Sequence, residues 1–200
     1  MLLALDLGGV VGFALFRSDG TFIRSGRKTV KKGAFPESYG ERALDLAKWL
    51  YKFIPENGVT RVVFESPWIP RGGFQHDPAA PAGPGKKKII VTDHSIRLGI
   101  LWADTVELIC AQSKVPCGEV SATSAKAEFT GNGRCEKKDM VAEAQRRGWM
   151  AADNDNEHEG DACGIGVVDL VARKILPARP KKKAPPKPKK PRPAPLIELA

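Results

Sequence analysis

The apolar positions follow two different rhythms along the chain. Residues 2–7 and 10–16 are short, nearly unbroken apolar runs separated by Gly8-Gly9. Runs of this length, bounded by turn residues, read as buried strands. Ser18-Asp19-Gly20 is a turn signal, and residues 21–29 read as a third, more polar strand. Three strands joined by tight turns predict an antiparallel meander. The rhythm changes at Ser38, where Ser38 and Glu41 fit the S-x-x-E capping box. Ala43, Leu46, Ala47, Leu50, Phe53 and Ile54 then recur at helical spacing, with Pro55 and Gly58 expected to end the helix. Residues 61–65 return to a strand, because Val62-Val63-Phe64 is a continuous apolar run.

Residues 66–93 break both rhythms. They hold five prolines, several glycines and Lys86-Lys87-Lys88, with little periodicity. A loop of this length in a compact domain is usually functional or disordered. Periodicity resumes over 94–114, with Ile96, Ile100, Ala103, Val106 and Ile109 near one face. Residues 116–120 predict a fifth strand, and 121–128 and 136–147 two helices around the loop Thr130-Gly131-Asn132-Gly133. A last helix is expected over 160–176. The order predicts an α/β domain over 1–176: a mixed five-stranded sheet, three antiparallel strands followed by parallel additions, flanked by helices. Residues 177–200 form a separate tail in this reading.

Charge sharpens that division. The net charge is +9, yet from Pro177 onward eight Lys/Arg face only one acid, Glu198. The body is therefore nearly neutral and the tail carries most of the excess, which suggests an arm for a polyanion. Its alternation of proline and lysine leaves almost nothing to bury, so an extended or disordered tail is expected. No apolar run approaches the roughly 18 residues of a membrane span. The opening run is interrupted by Asp6 and lacks a basic flank, so it reads as a first strand rather than a signal peptide. Cys110, Cys117, Cys135 and Cys163 form no C-x-x-C pair, which implies reduced thiols without a zinc site or disulfide framework. A cytoplasmic location, in a bacterial cell or a phage-infected host, is the resulting expectation.

Three carboxylates stand where a charge is costly. Asp6 lies inside an apolar strand, Glu65 closes another, and Asp161 precedes an apolar helix with Ile165, Val168 and Ala172 on its face. A carboxylate in such a place needs a partner or a cation. Oxygen ligands of this kind suit Mg²⁺ or Mn²⁺. Two such ions can activate a water and stabilise the leaving oxygen in phosphodiester hydrolysis.

The segments around them resemble a known family. Leu3-Ala-Leu-Asp6-Leu-Gly-Gly-Val-Val-Gly12 resembles the first strand pair of the RuvC-type Holliday-junction resolvases, members of the RNase H-like nuclease superfamily. Val62-Val-Phe-Glu65-Ser-Pro67 resembles their second motif, ending in a glutamate. The stretch from Ser124 through Lys126, Gly131 and Gly133 to Lys137 and Lys138 resembles their lysine-loop-lysine segment, and His158-Glu-Gly-Asp161-Ala-Cys-Gly-Ile-Gly166 their last acidic motif. The similarity spans roughly residues 2–172.

The resemblance implies an RNase H-like fold and a crossover junction endodeoxyribonuclease that cuts four-way DNA with two Mg²⁺ or Mn²⁺ ions per site. Asp6, Glu65, Asp161 and His158 would be the metal ligands, His158 serving alternatively in proton transfer, with Glu159 a weaker candidate for its place. Lys126 and Lys137 would contact the scissile strand, with Lys138 competing for the role of Lys137. Trp68, with Phe74 as its rival, would stack on a base at the branch point. Lys86, Lys87 and Lys88 in the loop and Lys181, Lys182 and Lys183 in the tail would meet DNA phosphates. The partners implied are branched DNA and a second copy of the chain in a symmetric dimer, with no membrane and no small-molecule cofactor. The loop 66–93 and the Lys-Pro tail depart from the family pattern.

Other readings remain open at this level. The same site would serve a nuclease of flaps, forks or RNA–DNA hybrids, or a branched-DNA-binding protein without catalysis. The segment from Asp6 to Gly12 also resembles the phosphate-binding hairpin of actin-like kinases, but those proteins need two such domains and a cleft between them.

Overall fold

A computed structural model describes residues 1–31, 38–67 and 93–180 of the chain. The meander forms as expected: β1 (Leu2–Asp6), β2 (Val10–Phe16) and β3 (Phe22–Thr29) pair antiparallel in sequence. Helix α1 (Tyr39–Glu56) then crosses to β4 (Arg61–Glu65), which lies parallel to β1, and α2 (Asp93–Gln112) crosses to β5 (Cys117–Val120), parallel to β4. The sheet order is β3-β2-β1-β4-β5. Helices α3 (Ala122–Thr130), α4 (Lys137–Arg146) and α5 (Glu157–Ala172) follow the last strand.

Strand alternation divides the core into two layers. Leu2, Ala4, Ala14, Phe16, Val63 and Val120 face α3, α4 and α5. Leu3, Leu5, Val11, Phe13, Leu15, Val62 and Phe64 face α1 and α2. β1 and β4 are covered on both sides, which is why their runs are apolar without alternation. Each fully buried leucine or phenylalanine of this kind contributes about 1.5–3 kcal/mol by leaving water. Helix α1 uses Leu46, Leu50, Phe53 and Ile54, as its spacing predicts. Pro55 does not end it: the helix continues to Glu56, and Asn57 caps it. Ser38 is its N-cap residue, yet its side chain makes no capping hydrogen bond. A reciprocal capping box does form at α4, between Glu136 and Asp139. On α2 the buried set is Trp102, Ala103, Val106, Ile109 and Cys110, whereas Ile100 is exposed.

Helix α5 departs most from expectation. It starts at Glu157, three residues before the predicted Gly160, because Asn156 accepts the Glu159 N–H as an N-cap. It ends at Ala172, short of Leu176, and Ala172 is exposed. From Glu159 to Val167 every residue is buried, so the helix is covered nearly all round and not along one stripe. Small residues permit this. A Cβ at Gly160 would stand 3.0 Å from the Val141 backbone nitrogen, so α4 and α5 touch backbone to backbone. At the far end of the helix Arg61 of β4 clamps Asp169, its Nε lying 2.8 and 3.0 Å from the two carboxylate oxygens. All four cysteines are free thiols. Among the described residues no helix is long and apolar enough to cross a membrane.

Candidate active site

β1, β4 and β5 run the same way, so the ends of β1 and β4 deliver Asp6 and Glu65 side by side. Both point to the layer of α5, since they continue the faces of Ala4 and Val63. Helix α5 presents His158 and Asp161 to the same place, three residues apart and therefore on one face. This arrangement depends on Gly12 of β2. A Cβ there would overlap the backbone carbonyl of His158, so only glycine lets the first turn of α5 lie against the strand.

Asp6, Glu65 and Asp161 line a cleft of about 120 Å³. Lys126 of α3 and Lys137, the first residue of α4, line it too, with Ala122, Ala125 and Met140 as its apolar wall. Asp6 and Asp161 are buried, at 8% and 7% exposure. Burial first, and then the charges of Asp6 and Asp161, push the Glu65 carboxyl up to about 7, against the pull of Lys137 and Lys126. Asp161 is raised by burial and by Asp6 in the same way. Lys137 Nζ stands 3.3 Å from Asp161 Oδ2 and 3.8 Å from Glu157. Burial alone would depress its ammonium, but Asp161, Asp6 and Glu157 hold it above the ordinary lysine value.

His158 joins the carboxylate cluster through Asp6. Its Nδ1 lies 2.7 Å from Asp6 Oδ2, and that hydrogen bond raises the imidazole above its ordinary value despite burial. It braces Asp6 and is not part of the lining of the cleft. Glu159 turns elsewhere: Ser25 of β3 donates to it at 2.7 Å, and Asn154 at 3.3 Å. Lys138 also points away and pairs with Glu136 at 2.8 Å on the surface. Trp68, Phe74, Lys86, Lys87, Lys88, Lys181, Lys182 and Lys183 lie outside the described residues.

The donor set suits a hard divalent cation. Asp161 Oδ1 is buried and has no hydrogen-bond partner, which is costly for a carboxylate oxygen unless something else takes its charge. The Asp6 charge raises the proton affinity of both Glu65 and Asp161, as a like charge does. Among the described residues no three His, Cys, Asp or Glu side chains are gathered at ligating distance. Sequence reasoning did not find Gly12, Asn156 or the wall residue Met140. An N-cap asparagine directly before Glu157 was the one available signal.

A central meander, two parallel additions and carboxylates at the strand ends define an RNase H-like fold of the kind found in the RuvC-type resolvases. The Thermus thermophilus RuvC structure superposes with a TM-score of 0.58 at 14% identity, covering 90% of this chain and 98% of that one. The T. thermophilus RuvC in complex with Holliday junction substrate gives 0.62 at 14% identity over the same shares. The yeast mitochondrial Holliday junction resolvase gives 0.53 at 14% identity, over 87% of this chain and 79% of that one. No protein-family model matches the chain, and no curated protein matches it in sequence.

Proposed function

We propose that the chain is a structure-selective DNA endonuclease that resolves four-way junctions by metal-dependent phosphodiester hydrolysis. The observation that carries this reading is the cleft itself. Three carboxylates, one with a buried orphan oxygen, share a space of about 120 Å³ with two lysines. Carboxylates alone would repel a phosphodiester, and lysines alone would only bind it. Together they separate the two tasks. Bound Mg²⁺ or Mn²⁺ ions, two per site, would supply an activated water and a counter-charge for the leaving oxygen. Asp6, Glu65 and Asp161 are the residues that would hold them. Lys126 and Lys137 bind the scissile strand's phosphates and stabilise the charge that develops on them. His158, held on Asp6 through Nδ1, fixes the direction of that carboxylate and leaves Nε2 for proton transfer.

The T. thermophilus neighbour is described with a Holliday junction substrate, which favours the four-way junction over other branched DNA as the substrate here. Paired cuts in opposed strands call for two sites, so the active form in this reading is a homodimer working in the cytoplasm. Trp68 or Phe74 stacks at the branch point, and Lys86–Lys88, Lys138 and Lys181–Lys183 meet the phosphates of the arms.

The test is a cleavage assay in Mg²⁺ on a four-way junction, a flap, a linear duplex and an RNA–DNA hybrid. Paired symmetric nicks in the junction alone are expected. Asp6→Asn should abolish cutting, by at least about 10³-fold as for removal of a main electrostatic contributor, while junction affinity changes little. Cutting of the flap or hybrid instead would move the activity to another nuclease of this fold. Binding without any cutting by the wild-type chain would make it a non-catalytic junction binder.

A further inference from the structure

A second polar cavity, of about 170 Å³, lies at the other end of the sheet and is larger than the catalytic cleft. It is lined by Arg17 and Ser18 after β2, by Thr60 and Arg61 at the start of β4, and by Arg173 after α5. Arg61 and Glu65 are the two ends of one strand, so the cavity and the carboxylate site are roughly 13 Å apart along β4. The two do not share a residue.

Its charge is out of balance. Three guanidinium groups line it against one buried carboxylate, Asp169, which pairs with Arg61 at 2.7 Å and with Arg173 at 3.7 Å. Arg61 commits Nε and one Nη to Asp169 and keeps its second Nη free among the described residues. Arg173 holds Asp169 only loosely. Arg17 has no ion pair among the described residues; the nearby acid, Asp19, accepts the Thr21 N–H and feels Arg17 only as a charge. A surplus of cations around a concave surface focuses a positive field. Forked N–H donors beside two hydroxyls match the oxygens of a phosphate. The Arg61–Asp169 pair supplies rigidity, and Arg17 and Arg173 supply the charge left for a ligand.

We propose that this cavity is a phosphate-binding site, separate from the catalytic cleft, in which Arg17, Arg61 and Arg173 receive a phosphate group. The same chemistry is offered by a nucleic-acid backbone and by a small phosphate or nucleotide. The site does not rest on the cleavage reading, because neither its residues nor its test involves the carboxylates.

The test is a titration of the full chain, without divalent metal, followed through the arginine Nε–H resonances. Inorganic phosphate at millimolar concentration should move those of Arg17, Arg61 and Arg173. In Arg17→Gln/Arg173→Gln the movement sensed at Arg61 should require about tenfold more phosphate. Both substitutions lie at the surface, so folding is preserved, and Arg61 is left intact as reporter. A linear duplex added to the wild type distinguishes the sources. Movement of the same resonances assigns the site to backbone phosphate, and the double variant should then lower the salt dependence of duplex binding by about one neutralised phosphate. Movement with inorganic phosphate alone assigns it to a small phosphate. Unmoved resonances with both probes would overturn the proposal, as would a shift at Arg61 that survives unchanged in the double variant.

Discussion

Glu65 shows at a single residue what the site costs. Its carboxyl is pushed up to about 7, so at neutral pH the metal-free protein holds it partly protonated. The ordinary carboxylate value applies in the unfolded chain, so between that value and 7 the folded state binds the extra proton. Stability therefore falls as pH rises through this window, and the full penalty applies above it. Glu65→Gln removes the penalty. It should stabilise the metal-free protein by about 3 kcal/mol at pH 8, taking 1.36 kcal/mol per unit over the rise to about 7. The gain should fall below about 1 kcal/mol near pH 5 and vanish below the ordinary carboxylate value, where the unfolded chain is protonated too, and cleavage should be lost at every pH. Urea unfolding at the two pH values, with chelator present, checks this; an equal gain at both would remove the electrostatic cause. Asp6 and Glu65 were legible in the sequence for the same reason that they are costly: each puts a charge into an apolar run. The choice between Lys137 and Lys138 was not legible. Neighbours on a helix differ by about 100° in direction, and only the start of α4 decides which one enters the cleft.

Among the elements, α5 joins the carboxylate end to the body. The strands and α1 could be read from period and turn residues, because each has one rhythm and clear ends. The start of α5 could not. Glu157, His158 and Glu159 look like a polar loop, and their helical state follows from Asn156 and from packing that the sequence does not display. One such close approach is testable. Gly12→Ala places a methyl group against the His158 carbonyl, where backbone on both sides prevents a cheap adjustment. Overpacking of this kind should cost about 1–3 kcal/mol. The urea midpoint should fall with an unchanged slope. Cleavage should fall further than the unfolded fraction explains, since His158 moves off Asp6. A variant with wild-type stability and activity would show that α5 does not need glycine at this position.

At the scale of the molecule, chain direction explains why one end of the sheet holds the chemistry. β3, β1, β4 and β5 point the same way, and α1, α2 and α3 begin beyond the ends of β3, β4 and β5. Their N-terminal ends, with that of α5, turn toward the carboxylate end, where oriented N–H groups favour a polyanion. Open α/β sheets place their ligands at this edge. The body is otherwise nearly neutral, so under the proposed function most long-range attraction for DNA would come from the basic tail. The tail's root is not free. The Arg179 N–H donates to Glu128, and its guanidinium donates to the Phe129 carbonyl at the end of α3, the helix that carries Lys126. Truncation after Pro180 removes seven Lys/Arg and one acid while keeping this strap. It should weaken junction binding at low salt and flatten the plot of log affinity against log salt by up to about 0.9 for each phosphate that the tail had neutralised. Cutting of the bound junction should persist. Truncation after Leu176 should in addition lower stability, because the α3 C-terminus loses the donors from Arg179. An unchanged salt slope in the shorter cut would place the DNA-attracting charge in the body instead, on Lys126, Lys137 and the arginines at the far end of the sheet.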